Sequence, residues 1–400
     1  MKGTSEKMDI SEDGSEQYFS GPDENATLLL ETSSGEKVYR HLDSIIVSLP
    51  DGRSTITTSW VNGGYREDLR AIFNHKVSKA VKGSKDLEGG NVSAYLEIVS
   101  RDLGLNPAYS SGLLTAARME NVAIVTRSFR GVEVTGIVTG GIEVNGGRVG
   151  DPASYYQENG SHMFIQGTIN TILLIGADLP AYAMNRAIVT ASEAKAAALQ
   201  QLMAPSRYSN GIATGSGTDM IAIVADRNSS VHLTDSGKHS KLGELIGLTV
   251  IEATQKALEL QSELSPINQR DMMVRLERFG IDEAAYWNVA SRLEGENRKS
   301  RFFRDLRDIS RNPFLVGSTC SVLHLLDEIS WGLIPETSGR KVAISIMKGL
   351  PEMLKSKNEV PFDSLLDEKD SILDNWLRVS SWLIKNGNCQ STDECSESRK

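Results

Sequence analysis

Cysteine, long apolar runs and surplus positive charge are all scarce in this sequence, and each shortage removes a class of protein. Cysteine occurs three times in 400 residues, at Cys320, Cys389 and Cys395. With none earlier in the chain there is no disulfide framework, so a reducing cytoplasm is the expected compartment. The most apolar stretches, 172–175 and 179–184, are interrupted by Gly176, Asp178 and Pro180. They fall well short of the roughly 18 consecutive apolar residues of a membrane helix, and no membrane partner is expected. Residues 1–17 are polar and acidic, unlike the basic stub and apolar core of a secretory signal. The 43 Lys and Arg against 52 Asp and Glu leave a net charge of −9, which argues against a broad nucleic-acid footprint.

What remains is a globular composition, 40% hydrophobic and 24% charged, in a chain long enough for two or three domains. Residues 1–25 are rich in Ser, Glu, Asp and Gly and read as a disordered acidic tail. From Ala26 short β-type runs follow at 27–31, 44–48 and 55–61. Residues 67–77 and 92–103 carry apolar side chains at helical intervals. The centre is the most strongly patterned: 122–126, 131–139 and 165–175 are rich in Val, Ile and Thr, and a short Gly-bearing connection predicts antiparallel pairing of the first two. An Ala-rich helix over 181–203 should stop before Pro205. A compact strand at 220–225 and a long helix over 238–264 complete a first domain spanning 26–264, α/β or α+β, with a mixed or antiparallel sheet and packed helices. After Pro266 strand-type runs largely vanish, and 269–279, 282–293, 322–333 and 364–383 have helical spacing. An all-helical region over 265–388 and a flexible tail over 389–400 are expected.

Three clusters combine glycine with charged or hydroxyl residues. The first, 139–152, holds Glu143, Arg148 and Asp151 among five glycines. Asn145-Gly146 alone would make it a hairpin turn. The second runs from Pro205 through Arg207, Asn210 and Thr214-Gly215-Ser216-Gly217-Thr218-Asp219 into the strand at Met220. Dinucleotide and P-loop fingerprints need strand, then glycines, then helix, and here the glycines precede a strand. The stretch is either a flexible loop or a source of hydrogen bonds to an oxyanion or amide. The third, Thr234 to Glu244, opens the long helix. Asp235 or Ser236 serves as an ordinary cap, yet Lys238, His239 and Lys241 are cations at a helix's positive end, which suggests a bound anion or a histidine kept neutral as a base. His41, His75, His162, His232 and His324 read as packing or surface residues. A metal is the rival use of Asp151, Asp219, Asp235 and His239, although no HExxH, CxxC or EF-hand spacing is present.

In order along the chain these clusters resemble the adenosylcobinamide amidohydrolase family of cobamide salvage. The matching stretches are Asn62-Gly63-Gly64 with Asn74, Thr115-Ala116-Ala117-Arg118-Met119, 139–151, Gly167-Thr168-Ile169-Asn170, Asp178-Leu179, Glu193-Ala194-Lys195, 206–210, 214–219 and Gly237-Lys238-His239-Ser240-Lys241-Leu242-Gly243. The likeness covers roughly 27–261 and includes neither the acidic tail nor the helical region. It implies hydrolysis of the amide between a corrin propionyl arm and aminopropanol, giving adenosylcobyric acid. The corrinoid is then a small-molecule substrate, and no cofactor is called for; the Asp-x-His-x-x-Gly signature of corrinoid carriers is absent.

Chemistry assigns the roles. His239 is the expected base and later acid, Asp219 orients it or positions water, and either Thr218 or Ser216 is the nucleophile or water attacks directly. Asn62, Arg118, Glu143, Arg148, Asp151, Asn170, Arg207, Asn210 and Lys238 are the expected substrate contacts. A corrinoid-binding or regulatory protein that leaves the amide intact is the alternative, and a helical partner-binding role fits only the region after Pro266. The metal requirement and the oligomeric state, a homo-oligomer included, stay open.

Overall fold

The computed structural model describes residues 25–78, 80–81, 83–153, 156 and 167–387. The expected acidic tail (all but its last residue), the flexible tail, His162, Cys389, Cys395 and the first two residues of the run at 165–175 lie outside the described residues. The chain divides into two compact units: Met1–Gly141, Tyr155–Ala194 and Thr218–Ala257 form the first, and Ile142–Ser154, Lys195–Gly217 and Leu258–Lys400 the second.

Through β9 the strands are β1 (Thr27–Glu31), β2 (Lys37–His41), β3 (Ser44–Ser48), β4 (Arg53–Thr57), β5 (Gly64–Arg66), β6 (Ala71–Lys76), β7 (Ser110–Thr115), β8 (Ala123–Phe129) and β9 (Val132–Gly141), with α1 (Val92–Asp102) between β6 and β7. Then come β10 (Gly146–Gly147), β11 (Thr168–Ile175), α2 (Ala181–Gln201), β12 (Gly215–Ser216), β13 (Met220–Asp226) and α3 (Lys241–Ser262). The helices that follow are α4 (Met272–Leu276), α5 (Glu283–Ala290), α6 (Lys299–Ile309), α7 (Pro313–Ser330), α8 (Glu336–Met353), α9 (Phe362–Leu365) and α10 (Ile372–Asn386). The fold is α+β, with mixed sheets first and helices gathered towards the C-terminus.

The first unit contains two sheets, ordered β1-β2-β3-β6-β7 and β5-β4-β13-β11-β9-β8. As expected, β8 and β9 pair antiparallel; β6 with β7 and β11 with β13 are parallel. Strand alternation makes layers of these sheets. Ile172 and Leu174 of β11 join Ile45, Val47, Ile72 and Leu113 of the other sheet in one core, while Leu173 and Ile175 face α2 and α3. Alanines 183, 187, 191 and 194 give α2 a flat stripe that lies close on the sheet. On the outer face of the five-stranded sheet Phe73 and Leu114 pack against Val92, Leu96 and Val99 of α1. The order of layers is therefore helix, sheet, sheet, helix.

Two local readings of the sequence change. Residues 67–77 look helical because Leu69, Ile72 and Phe73 recur at helical intervals, but 71–76 form β6, whose two faces are both covered, so apolar residues occur on each. The long helix begins at Lys241 rather than 238, and its cap is Ser240, whose Oγ accepts the Gly243 N–H at 3.0 Å; Ser236 is fully buried and donates to the Ala183 carbonyl.

In the second unit β10 and β12 pair antiparallel, Gly146 opposite Ser216. The helices close around Trp376 of α10, with Tyr286, Phe302, Leu306, Val322 and Met347 among its core. Asp271, Asp282, Asn312 and Ser371 cap α4, α5, α7 and α10 through side-chain acceptors, as helix starts require.

Candidate functional site

At one end of the first unit's two sheets the carboxyl ends of β6 and β7 meet the amino ends of β11 and β13. A cleft of about 520 Å³, open to solvent, lies there. Trp60, Val77, Ser78, Val81, Leu114, Thr115, Ala116, Gly167, Thr168, Thr218 and Met220 line it. None of these described lining side chains is ionisable. The wall combines one indole with four hydroxyls on an otherwise apolar surface, which suits a neutral polar group better than a charged one.

Beneath the cleft a buried amide network ties the two sheets together. Asn170 Nδ2 donates to Asn74 Oδ1 at 2.8 Å and to the Leu114 carbonyl at 2.7 Å, and its Oδ1 accepts from the Met220 N–H at 3.1 Å. Asn74 Nδ2 in turn donates to Thr139 Oγ1 at 2.7 Å. Such a network holds its shape only because every member is paired. Thr168 Oγ1 also donates to the Thr218 carbonyl at 2.8 Å, Thr218 Oγ1 to the Gly167 carbonyl at 3.0 Å, and the Ile169 N–H to Asp219 Oδ1 at 2.7 Å. The start of β13 is therefore pinned to the start of β11.

The sequence-selected residues fall into three places. Thr218 lines the cleft, Asp219 is its immediate neighbour, and Arg118 is exposed just beyond the end of β7. Asn170 is the strut under the cleft, and its amide is fully used there. Asn62, at positive φ, bonds the Pro107 and Ser110 carbonyls at 2.7 and 2.8 Å and accepts from Arg66, so it joins loops. In the second unit the first two glycine clusters come together. Asp151 Oδ2 accepts from Ser206 Oγ at 2.6 Å and from the Arg148 N–H at 2.8 Å. Burial alone would raise the Asp151 carboxyl, but hydrogen bonds from Ser206, Ser209 and the Arg148 backbone, with the Arg148 charge, bring it below the usual range. Arg148 stacks on Trp331 at 5.9 Å, Arg207 pairs with Glu277 at 2.7 Å, and the Asn210 carbonyl accepts from Arg278 at 2.7 Å. Ser216 is in the ribbon beside Gly146, and Glu143 is exposed.

The third cluster goes elsewhere. Asn170 pairs with Met220 and Ile175 with Ala225, so β11 covers about 17 Å between those rows. Thr218 and Asp219 sit at the Asn170 row. Lys241 lies 4.9 Å from the ring of Phe129, which closes the β8–β9 hairpin beyond the Ile175 row. His239, two residues before Lys241, is exposed at that opposite end. The structure does not bring it to Asp219. The cations around it have carboxylates of their own: Lys238 meets Glu193 at 2.9 Å and Lys241 meets Glu244 at 2.6 Å. Trp60, Ser78, Thr115 and Thr168, which the charge-based reading passed over, line the cleft instead; only Thr115-Ala116 and Gly167-Thr168 carried a sequence signal. Among the described residues no three His, Cys, Asp or Glu side chains gather into a set that could hold a metal ion. No helix among them is long and apolar enough to cross a membrane.

An α+β sandwich with a hydroxyl-lined cleft at the joint of its two sheets is the class of protein these features define. The model of the adenosylcobinamide amidohydrolase family, CbiZ, matches residues 29–266, more than half of the chain. The chain belongs to that family. It is also 30% identical over 237 residues to the uncharacterized protein MJ1613 of Methanocaldococcus jannaschii, covering 55% of this chain and 88% of that protein. The family implies a hydrolase.

Proposed function

We propose that this protein hydrolyses the aminopropanol amide of adenosylcobinamide, releasing aminopropanol and adenosylcobyric acid for corrinoid salvage. Membership of the amidohydrolase family carries the reading. The cleft supports it: an amide-bearing side arm is neutral, and Ser78, Thr115, Thr168 and Thr218 offer hydroxyls to its carbonyl and to the alcohol of aminopropanol, with Trp60 packing on its carbons. The corrin ring stays outside, where Arg118 binds amide oxygens of its rim.

In this mechanism a water molecule loses a proton to Asp219 as its oxygen bonds to the amide carbon. The carbonyl becomes an oxyanion held by the Ser78 and Thr115 hydroxyls of the wall. Collapse breaks the carbon–nitrogen bond, and the proton passes from Asp219 to the departing amine. One Asp219 oxygen is held by the Ile169 N–H, which orients the carboxylate at the start of β13. Thr218 is the alternative nucleophile, attacking first and being released by water. This assignment moves the base from His239 to Asp219 because Asp219 stands between Thr218 and Met220, which line the cleft, whereas His239 is at the opposite end of β11.

The test is incubation of the purified protein with adenosylcobinamide, with and without a chelator, followed by mass spectrometry. Aminopropanol and adenosylcobyric acid are the expected products. Tight corrinoid binding with unchanged substrate under every metal and reductant condition would establish the binding-protein alternative.

A further inference from the structure

The second unit has a pocket of its own, about 380 Å³ with the open solvent at its mouth included, walled by Met203, Pro205, Val274 and Leu323 and by side chains of opposite charge. Arg278, 8% exposed, grips Asp327 with two N–H···O contacts of 2.9 and 2.5 Å and gives a third to the Asn210 carbonyl, so its charge is cancelled at close range. Arg275 is different. Its Nη1 donates to Gln269 Oε1 at 3.1 Å, a neutral partner, and it forms no ion pair among the described residues. His324, at the rim, faces Glu328 at 3.2 Å. One half-buried guanidinium is left over in a mainly apolar chamber.

We propose that this cavity is a binding site for a small monocarboxylate with a short aliphatic body. The carboxylate takes the planar fork of Arg275, and the carbons lie on Met203, Pro205, Val274 and Leu323. A dianion such as phosphate is disfavoured, because the Asp327 carboxylate is on the same wall and one uncancelled cation cannot offset two charges. A neutral ligand leaves the guanidinium uncompensated. Cys320, half-buried on the same wall, reports occupancy.

The full chain is titrated calorimetrically with butyrate, butyramide and inorganic phosphate. In parallel the rate of N-ethylmaleimide labelling at Cys320 is followed by peptide mass spectrometry with and without saturating butyrate. Saturable butyrate binding is expected, at least tenfold tighter than butyramide or phosphate, weakened about tenfold or more in Arg275→Gln, with Cys320 labelling slowed. Butyramide or phosphate binding as well as butyrate, no saturable butyrate binding, or Cys320 labelling unchanged at saturation would each overturn the proposal. Should Arg275→Gln not fold, the butyrate–butyramide comparison and the labelling rate on the unaltered chain still decide.

Discussion

Acid should destabilise the first unit through one histidine. His75, on β6, lies between the five-stranded sheet and α1, with Nδ1 2.8 Å from Ser44 Oγ and Nε2 3.1 Å from the Tyr95 hydroxyl. Ser44 Oγ donates to the Leu42 carbonyl, so its oxygen accepts from Nδ1–H, and Nε2 accepts from Tyr95. That arrangement fits a neutral imidazole. Burial pushes its pKa down to about 4 from the usual 6.5; Asp43 and Asp102 oppose the shift and Lys76 assists it. Between pH 6.5 and 4 the unfolded chain therefore carries a proton at this position that the folded chain does not. The stabilisation from keeping His75 neutral is complete above pH 6.5 and is lost as pH falls towards 4. A fall from 6.5 to about 4 corresponds to about 3 kcal/mol. Denaturant unfolding of the natural protein and of His75→Gln at pH 7.5, 6, 5 and 4 isolates the effect, because the carboxylates common to both chains cancel in the difference. The natural protein should lose about 3 kcal/mol more than the variant across that range. Parallel pH profiles would refute the argument.

Three further outcomes follow from particular contacts. Asp219→Asn should lower turnover of adenosylcobinamide about 10²- to 10⁴-fold with corrinoid binding kept, while His239→Asn stays within a few-fold of the natural rate; steady-state rates and binding titrations on both variants check this. Arg53, 3% exposed and paired with Glu36 and Asp226, should cost about 3–5 kcal/mol when changed to alanine, because two carboxylates lose their cation; chemical unfolding measures it. Gly112→Ala would put a Cβ 2.4 Å from Phe73 Cζ and 2.6 Å from Leu96 Cδ2, inside the core between β7 and α1, and should cost about 1–3 kcal/mol, read as a lowered midpoint in thermal unfolding.

The same glycine shows why some of the fold was hidden in the sequence. β7 reads Ser-Ser-Gly-Leu-Leu-Thr, a composition of loops, yet all six residues are buried. Two of its hydroxyls are used by neighbouring chain, Ser111 Oγ donating to the Val61 carbonyl and Thr115 Oγ1 accepting the Ala117 N–H, each at 3.0 Å, and its glycine makes room for the Phe73 ring. Tertiary partners, absent from any local window, decide such a strand. Where the pattern alone was sufficient, as in β8, β9, β11, α2 and β13, the buried positions are carried largely by Val, Ile, Leu, Ala and Gly, and the few buried polar residues among them, such as Asn170 and Thr171, did not hide the period.

The site was harder to read for an electrostatic reason. Charge clusters attract attention in a sequence because unpaired charge is costly, but Lys238, Lys241 and Arg207 all meet carboxylates of their own unit, at 2.9, 2.6 and 2.7 Å, so their clustering is answered within the fold. The cleft is built the opposite way. Its polar groups are single neutral hydroxyls carried by strand ends that are remote in sequence, Ser78, Thr115, Thr168 and Thr218, and each alone is an ordinary strand-edge residue. What makes them a candidate site is that β6 and β7 end where β11 and β13 begin. The Asn74–Asn170 amide network holds those ends in register across two sheets, a pairing that becomes visible only once the sheet order is known.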